Sequence, residues 1–313
     1  MLKILSVGSF ALLSVFFAGG MSARHDMFPW PQLYSAKERA LGLKPVDDAS
    51  RYVFEDNGRL VADETKAAVA CPGQTGRTAV LLVLGQSNAS NHAGQRYRSA
   101  EGASVINFFG GKCYVAASPL LGSTGSAGEY WTRLGNLLIA SGKFDSVVLA
   151  PLAFSGSVVE RWAKGGDLNK LLVDTTGQIR SAGYHVTDVL WVQGEADYVK
   201  GTSSDAYRDR FISMVDTLRE QGVKAPVYIS TATKCLEPSN GGFELHDPDN
   251  AIVHAQQALH KSGDGIRSGI DTDILLDDVD RYDDCHFGGS GAEKAAQAWT
   301  ELLLNDQRQI SMQ

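Results

Sequence analysis

From residue 78 onward, apolar runs of strand length alternate with segments whose apolar residues recur at helical spacing. Continuous apolar runs such as residues 147–150 are typical of strands in a parallel sheet that is covered by helices on both faces. The pattern therefore predicts an α/β fold, a three-layer α/β/α sandwich around a five-stranded, parallel, doubly wound sheet. The predicted strands span residues 78–84, 146–152, 188–193, 226–231 and 273–276, and the predicted helices span residues 130–140, 169–182, 204–221, 250–262 and 292–304.

Two stretches of the chain lack this alternation. Residues 24–77 show no sustained period and contain several prolines, so they are predicted to form an N-terminal extension packed on the main domain of residues 78–313. Residues 91–128 are rich in Gly and Ser and contain one short apolar run, which predicts an insertion with short strands of its own.

The composition is that of an ordinary globular protein. The chain has 313 residues, of which 43% are hydrophobic and 21% charged, and this length is sufficient for a full core. With 29 Lys plus Arg against 36 Asp plus Glu, the net charge is −7. The absence of a basic cluster in the sequence argues against nucleic acid or an anionic membrane as a partner.

The N-terminus has the pattern of a secretory signal peptide. Lys3 is followed by an uncharged, mostly apolar stretch that ends in small residues, so residues 1–23 are predicted to be removed. The alternative is an uncleaved membrane anchor. Export to the cell exterior or periplasm would place the four cysteines in an oxidising compartment, where two disulfides with three possible pairings can form.

Candidate chemistry lies directly after the predicted strands, because ligands of open α/β sheets bind at the carboxyl edge. The first strand is followed by Gly-Gln-Ser-Asn at residues 85–88, which places Ser87 on a tight turn as a candidate nucleophile. The alternative for this motif is a simple hydrogen-bonded turn.

Near the other end of the chain, Asp283 stands three residues before His286. A carboxylate at that spacing can fix the tautomer of the imidazole and leave the second ring nitrogen free to take a proton from Ser87. The alternative for His286 is a loop or capping histidine.

Two loops between these motifs carry candidate donors for an oxyanion. The N–H groups of Gly156 and Ser87 and the side-chain amide of Gln193 are the groups that acyl transfer requires there. Each loop is weak evidence alone, but four such loops at successive strand ends together indicate a serine hydrolase.

These motifs resemble those of SGNH (GDSL-type) hydrolases, and within that group the sialate O-acetylesterase and acetylxylan esterase branch. The resemblance is carried by residues 85–88, the Gly156 loop with Glu-Arg-Trp at residues 160–162, Trp-Val-Gln-Gly-Glu-x-Asp at residues 191–197, and residues 281–287. It implies the flavodoxin-like sheet predicted above and removal of acetyl groups from sugar hydroxyls without a metal or other cofactor.

The resemblance also implies roles for single residues. Ser87 is the nucleophile, His286 the general base and acid, Asp283 its orienting carboxylate and Gly156 an oxyanion donor. Where the wider SGNH pattern has an Asn donor, this chain has Gln193, so direct donation by Gln193 is open. Glu195 either supplies a second carboxylate to His286 or anchors its loop.

Two further features near the predicted site invite interpretation. Asn88 and Trp162 follow site motifs and are the candidate substrate contacts, with a place in the core as the alternative for Trp162. Residues 271–284 contain seven Asp but lack the spacing of a calcium loop, so a solvated loop is predicted and no metal is expected.

With this fold assumed, Cys235 and Cys285 follow neighbouring strands at the carboxyl edge. A Cys235–Cys285 disulfide beside His286 is predicted, and Cys71–Cys113 is the second pair. The alternative is that all four cysteines are reduced.

The sequence thus predicts a secreted or periplasmic serine esterase that deacetylates a carbohydrate through an acyl-enzyme. Two alternatives stay open: transfer of the acetyl group to a second sugar by the same triad, and a non-catalytic carbohydrate-binding protein. An α/β-hydrolase fold is disfavoured because the motif at residues 85–89 lacks the last Gly of that family's elbow. An acetylated carbohydrate is the expected partner, and neither the sugar nor the oligomeric state follows from the sequence.

Overall fold

The computed structural model describes residues 51–235, 238–239, 242–243, 246–261, 263, 265–283 and 285–310. The predicted signal peptide at residues 1–23 and the first half of the predicted extension, residues 24–50, lie outside these residues. Among the described residues, no helix is both long and apolar enough to cross a membrane.

The centre of the fold is an eight-stranded sheet with the order β12-β9-β8-β4-β7-β5-β6-β3. The strands from β12 to β5 are parallel, and β6 and β3 add to one edge in antiparallel orientation. The strands of this sheet are β3 (Ala68–Val69), β4 (Thr78–Gly85), β5 (Val105–Phe109), β6 (Lys112–Val115), β7 (Ser146–Ala153), β8 (Asp188–Val192), β9 (Val227–Thr231) and β12 (Ile266–Asp271). Two small hairpins lie outside it: β1 (Tyr52–Phe54) with β2 (Leu60–Asp63), and β10 (Pro238–Ser239) with β11 (Gly242–Phe243).

Helices cover both faces of the sheet, as the three-layer prediction requires. The helices are α1 (Trp131–Ala140), α2 (Asp167–Ser181), α3 (Glu195–Lys200), α4 (Ser204–Glu220), α5 (Ala251–Leu259), α6 (Thr272–Leu275) and α7 (Gly289–Ile310). Apolar residues of α2, α4 and α5 share one buried cluster, and those of α1 and α7 share another.

Strand β4 explains why the apolar run has no polar gaps. Its residues Val80, Leu82 and Leu84 belong to the first cluster, whereas Leu81 and Val83 belong to the second. Successive side chains of a strand point to opposite faces, so a strand between two helical layers must be apolar at every position. The α/β/α prediction is confirmed by this arrangement, but the predicted five-stranded, all-parallel sheet is wrong, because the sheet has eight strands and two antiparallel pairings at one edge.

Four of the five predicted strands are confirmed, and the fifth is wrong. The strand at that edge is β12, Ile266–Asp271, whereas the apolar run at residues 273–276 falls largely in α6. Asp271 caps this helix by accepting hydrogen bonds from the N–H groups of Asp273 and Ile274. The short run within residues 91–128 forms β5, which pairs with β7 in the central sheet.

Both predicted disulfides are present. Cys71–Cys113 joins the segment before β4 to β6, and Cys235–Cys285 joins the segment after β9 to the loop before α7. The second disulfide therefore lies one residue from His286.

Candidate active site

The predicted nucleophile lies where β4 ends. Ser87 is 3% exposed and begins a 3₁₀ turn, Ser87–Ala89. Gly85 precedes it with φ +139°, and a Cβ at this residue would lie 2.0 Å from the carbonyl oxygen of Val192 on β8. Only glycine allows β4 and β8 to approach so closely, and the turn with Ser87 follows from that approach.

His286 and Asp283 form the predicted pair. His286 Nδ1 lies 2.6 Å from Asp283 Oδ2, and the His286 backbone N–H donates to Asp283 Oδ1 at 2.7 Å. Burial raises the pKa of Asp283, but the hydrogen bonds from the His286 ring and backbone outweigh it and hold this pKa below its usual range. An ionised Asp283 fixes the proton on Nδ1 and leaves Nε2 as the basic nitrogen.

His286 Nε2 is buried and makes no hydrogen bond to any described residue, Ser87 included. Its ring stacks with those of His92, at a centroid distance of 5.4 Å, and Tyr282, at 5.9 Å. The Tyr282 hydroxyl donates to the His92 carbonyl oxygen at 2.9 Å, which joins the two flanking segments. Catalytic hydrogen bonds are commonly long in unliganded enzymes and tighten when substrate binds, so the free Nε2 fits a general base.

The loop after β7 presents a free backbone donor. Residues 154–157 form a turn in which Ser157 N–H donates to the Phe154 carbonyl oxygen, and Gly156 has φ +66°. A positive φ at the third position is typical of a type II turn and favours glycine. Among the described residues, the N–H groups of Gly156 and Ser87 donate to no protein acceptor, so both are available to an oxyanion.

Gln193 does not fit the predicted role of a direct oxyanion donor. Its Nε2 donates both hydrogens to protein acceptors, the Ser157 carbonyl oxygen at 3.0 Å and Asp197 Oδ2 at 2.6 Å. The amide has no hydrogen left for a substrate, and it instead ties the loop after β8 to the loop of Gly156.

Asp197, for which the sequence analysis predicts no role, is the central acceptor between the loop after β8 and the loop of Gly156. Its carboxylate is fully buried and accepts from Gln193 Nε2, from the Val159 N–H at 2.7 Å and from the Thr202 hydroxyl at 2.7 Å. Its position two residues after Glu195 in the motif was the available signal, but only the fold shows that it fixes the turn carrying Gly156.

Glu195 and Asn88 contact each other inside the protein. Glu195 is 2% exposed, and its Oε1 accepts from Asn88 Nδ2 at 2.8 Å, while Oε2 is buried without a partner among the described residues. Burial raises the pKa of Glu195, and the hydrogen bond from Asn88 opposes this rise. The described structure contains no contact between Glu195 and His286, and the polar atoms of Asn88 are engaged with protein rather than free for substrate.

Trp162 is not a substrate contact in this structure. Its side chain is fully buried, its indole N–H donates to the Ser157 hydroxyl at 3.1 Å, and its ring packs edge-on against Trp191. The predicted role is wrong because the short 3₁₀ turn Val159–Arg161 directs the ring into the core instead of toward the site.

The acidic segment is largely occupied by structural contacts. Asp271 caps α6, Asp280 accepts a hydrogen bond from Lys294 Nζ, and Asp283 accepts one from His286 Nδ1. Among the described residues, no three His, Cys, Asp or Glu side chains are grouped so that they would hold a metal ion.

Comparison with known proteins identifies one matching family. A sequence model described as carbohydrate esterase, sialic acid-specific acetylesterase, matches residues 77–258, a range that includes Ser87, Gly156 and Glu195 but ends before Asp283 and His286. No curated protein matches the chain.

Solved structures share the fold at low sequence identity. A protein from Arabidopsis thaliana is 14% identical, with 73% of this chain and 98% of that chain covered and a TM-score of 0.56. NanS is 15% identical, with 77% of this chain and 100% of that chain covered and a TM-score of 0.51. At these identities the likeness concerns the fold alone.

Proposed function

The chain belongs to the family of carbohydrate esterases described as sialic acid-specific acetylesterases, and we propose that it removes O-acetyl groups from a carbohydrate through an acyl-enzyme on Ser87. The observation that carries this proposal is the hydrogen-bonded Asp283–His286 pair, in which His286 Nε2 is buried without a partner among the described residues. Asn88, the residue after Ser87, accepts a hydrogen bond from the Phe287 N–H and so connects the nucleophile turn to the loop of His286. A carboxylate, an imidazole and a serine in this order are the parts of a hydrolytic triad.

In the first step, the Ser87 oxygen attacks the acetyl carbonyl carbon while its proton passes to His286 Nε2. Asp283 stabilises the imidazolium that forms, because its ionised carboxylate accepts from Nδ1 at 2.6 Å. The N–H groups of Ser87 and Gly156 donate to the oxyanion. The bond to the sugar oxygen then breaks, and His286 returns the proton to that oxygen.

In the second step, water hydrolyses the acetyl ester on Ser87. His286 Nε2 takes a proton from water, the new C–O bond forms, and the bond to Ser87 breaks with return of the proton to its oxygen. The products are acetate and the free sugar hydroxyl, and the site supplies every proton transfer from its own residues.

We further propose that the protein acts outside the cytoplasm. Two disulfides support this, because disulfides persist in oxidising compartments and are rare in the cytosol.

The Ser87→Ala variant tests the proposed function. We expect it to keep the wild-type melting temperature and to lose hydrolysis of an activated acetyl ester and of acetylated sugars by at least about 10³-fold. Ser181→Ala, at an exposed serine on α2, is the matched control and should keep full activity. A serine-directed phosphonate should label the wild type at Ser87, as identified by peptide mass spectrometry. Substantial activity in Ser87→Ala would contradict the proposal.

A further inference from the structure

The side chain of Asn88 connects the nucleophile turn to the loop of the general base. Its Nδ2 donates to the Cys285 carbonyl oxygen at 3.3 Å, and its Oδ1 accepts from the Phe287 N–H at 3.3 Å. These are the residues immediately before and after His286, and Asn88 itself immediately follows Ser87. One amide therefore contacts the backbone on both sides of the general base while attached to the neighbour of the nucleophile.

Glu195 holds this amide in place. Asn88 Nδ2 also donates to Glu195 Oε1 at 2.8 Å, so the two amide hydrogens and the amide oxygen all have partners. The position of Glu195 is fixed in turn, because Gln86 Oε1 accepts from the N–H of Ala196 at 3.0 Å. The side-chain amides of Gln86 and Asn88 therefore both form hydrogen bonds with the first turn of α3.

A second side chain, that of Arg281, also donates to the backbone of this loop. Arg281 is 3% exposed and donates from Nη1 to the Cys285 carbonyl oxygen at 2.7 Å and from Nη2 to the Thr272 carbonyl oxygen at 3.1 Å. The Cys285 carbonyl oxygen is therefore held by both Arg281 and Asn88. The Asp283 carboxylate orients the His286 ring through Nδ1, whereas the contacts of Arg281 and Asn88 fix the backbone to which that ring is attached.

We propose that Asn88 and Glu195 are positioning residues that set the separation between Ser87 Oγ and His286 Nε2. This inference rests on the proposed roles of Ser87 and His286. It assigns Glu195 an action through Asn88, in place of a second carboxylate on the imidazole. A misplacement of about 1 Å between reacting groups costs about 10²-fold in rate, so the buried amide bridge is expected to act on kcat more than on KM.

Exchanging the hydrogen-bond donor at position 88 with the acceptor at position 195 tests whether the contact between Asn88 and Glu195 matters for catalysis. Asn88→Asp removes the hydrogens that Glu195 and Cys285 accept and places two carboxyl groups together, so we expect kcat to fall by about 10²-fold with KM nearly unchanged. In the double variant Asn88→Asp/Glu195→Gln, the amide at position 195 can donate to the carboxylate at position 88, and kcat should recover by about tenfold over Asn88→Asp.

Glu195→Gln separates the positioning role from a catalytic carboxylate. The amide keeps an oxygen that accepts from Asn88, although a neutral acceptor makes a weaker hydrogen bond, so we expect a loss of less than about tenfold. Asp283→Asn, which removes the carboxylate that contacts the imidazole, should lose about 10³-fold or more in kcat. Asn107→Asp is the matched control, because Asn107 is a fully buried Asn on β5 that bridges backbone groups of Leu121. It should lower the melting temperature and leave kcat unchanged.

The kcat values of these variants distinguish a positioning role of Asn88 and Glu195 from a catalytic one. The inference is overturned if Glu195→Gln loses as much kcat as Asp283→Asn, or if folded Asn88→Asp keeps wild-type kcat. Should Asn88→Asp fail to fold, the isosteric Glu195→Gln result still decides. An active Ser87→Ala variant would instead remove the proposed function, whereas an inactive one beside unaffected Asn88 and Glu195 variants would remove only the positioning role.

Discussion

The imidazole of His92 is predicted to make the stability of the protein strongly dependent on pH. Its ring stacks on that of His286, and its Nε2 is buried without a partner among the described residues. Burial first, and then the neighbouring His286, lower the pKa of His92 from 6.5 to about 4, while Asp283 opposes the shift. The folded protein therefore keeps His92 neutral at pH values where an unfolded chain would protonate it.

The sign and size of the effect follow from proton linkage. The unfolded state binds more protons than the folded state between pH 6.5 and 4, so the stabilisation is complete above pH 6.5 and is lost as the pH falls toward 4. At pH 5 the difference between the two states corresponds to about 2 kcal/mol of lost unfolding free energy.

Urea unfolding of the wild type and of His92→Phe, at pH 7.5 and pH 5, measures this contribution. Phenylalanine keeps a flat ring against His286 but does not titrate. The pKa values of His246 and His260 are also lowered by burial, so both proteins lose stability in acid. We expect the wild type to lose about 2 kcal/mol more than the variant. Equal losses in the two proteins would refute the reasoning, and His185→Phe, at an exposed histidine, should match the wild type.

Two further predictions concern the core and the disulfides. Trp162→Ala should lower the unfolding free energy by about 3–5 kcal/mol and leave KM for an acetylated sugar unchanged in the folded fraction, whereas a raised KM would restore its role as a substrate contact. Replacement of either disulfide by two serines should lower the unfolding free energy by up to about 4 kcal/mol, since the sequence separations, 50 for Cys235–Cys285 and 42 for Cys71–Cys113, are similar. Only loss of Cys235–Cys285 should also lower kcat, because Cys285 precedes His286, the proposed general base. Initial rates on folded protein measure this, and equal kcat in the two variants would show that the Cys235–Cys285 disulfide does not help to position His286.

The central strands could be predicted from the sequence because burial on both faces leaves a strong signal. Strand β4 has eight consecutive buried residues, and no exposed position interrupts the pattern. The edge strand β12 cannot be recognised in the same way, because only Ile266 and Ile270 of its six residues are buried and it includes Arg267 and Gly269. The apolar residues after it predict a strand, but they fall largely in α6, where Ile274 is 83% exposed and the Asp271 side chain caps the first turn.

The candidate site shows the same limit at the level of single residues. The structure brings Asp283 and His286 together as predicted, because a spacing of three residues is a local property of the chain. The destinations of the Gln193 and Asn88 amides depend on contacts between loops far apart in sequence, and motif reading cannot reveal which partner takes each hydrogen. Asp197 shows the same dependence, since its three partners lie in three different segments, after β7, after β8 and after α3.

The positions of the two disulfides in the strand order have a consequence for local opening. In an open sheet, outer strands have only one hydrogen-bonded neighbour and are the first to exchange their amide hydrogens and to admit proteases. Here Cys113 lies on the strand next to one edge, and Cys235 follows the strand next to the other. Fraying that starts at either edge therefore meets a covalent link one strand inward, and the strands that precede the candidate residues Gln193, Ser87 and Gly156, namely β8, β4 and β7, lie between the two links.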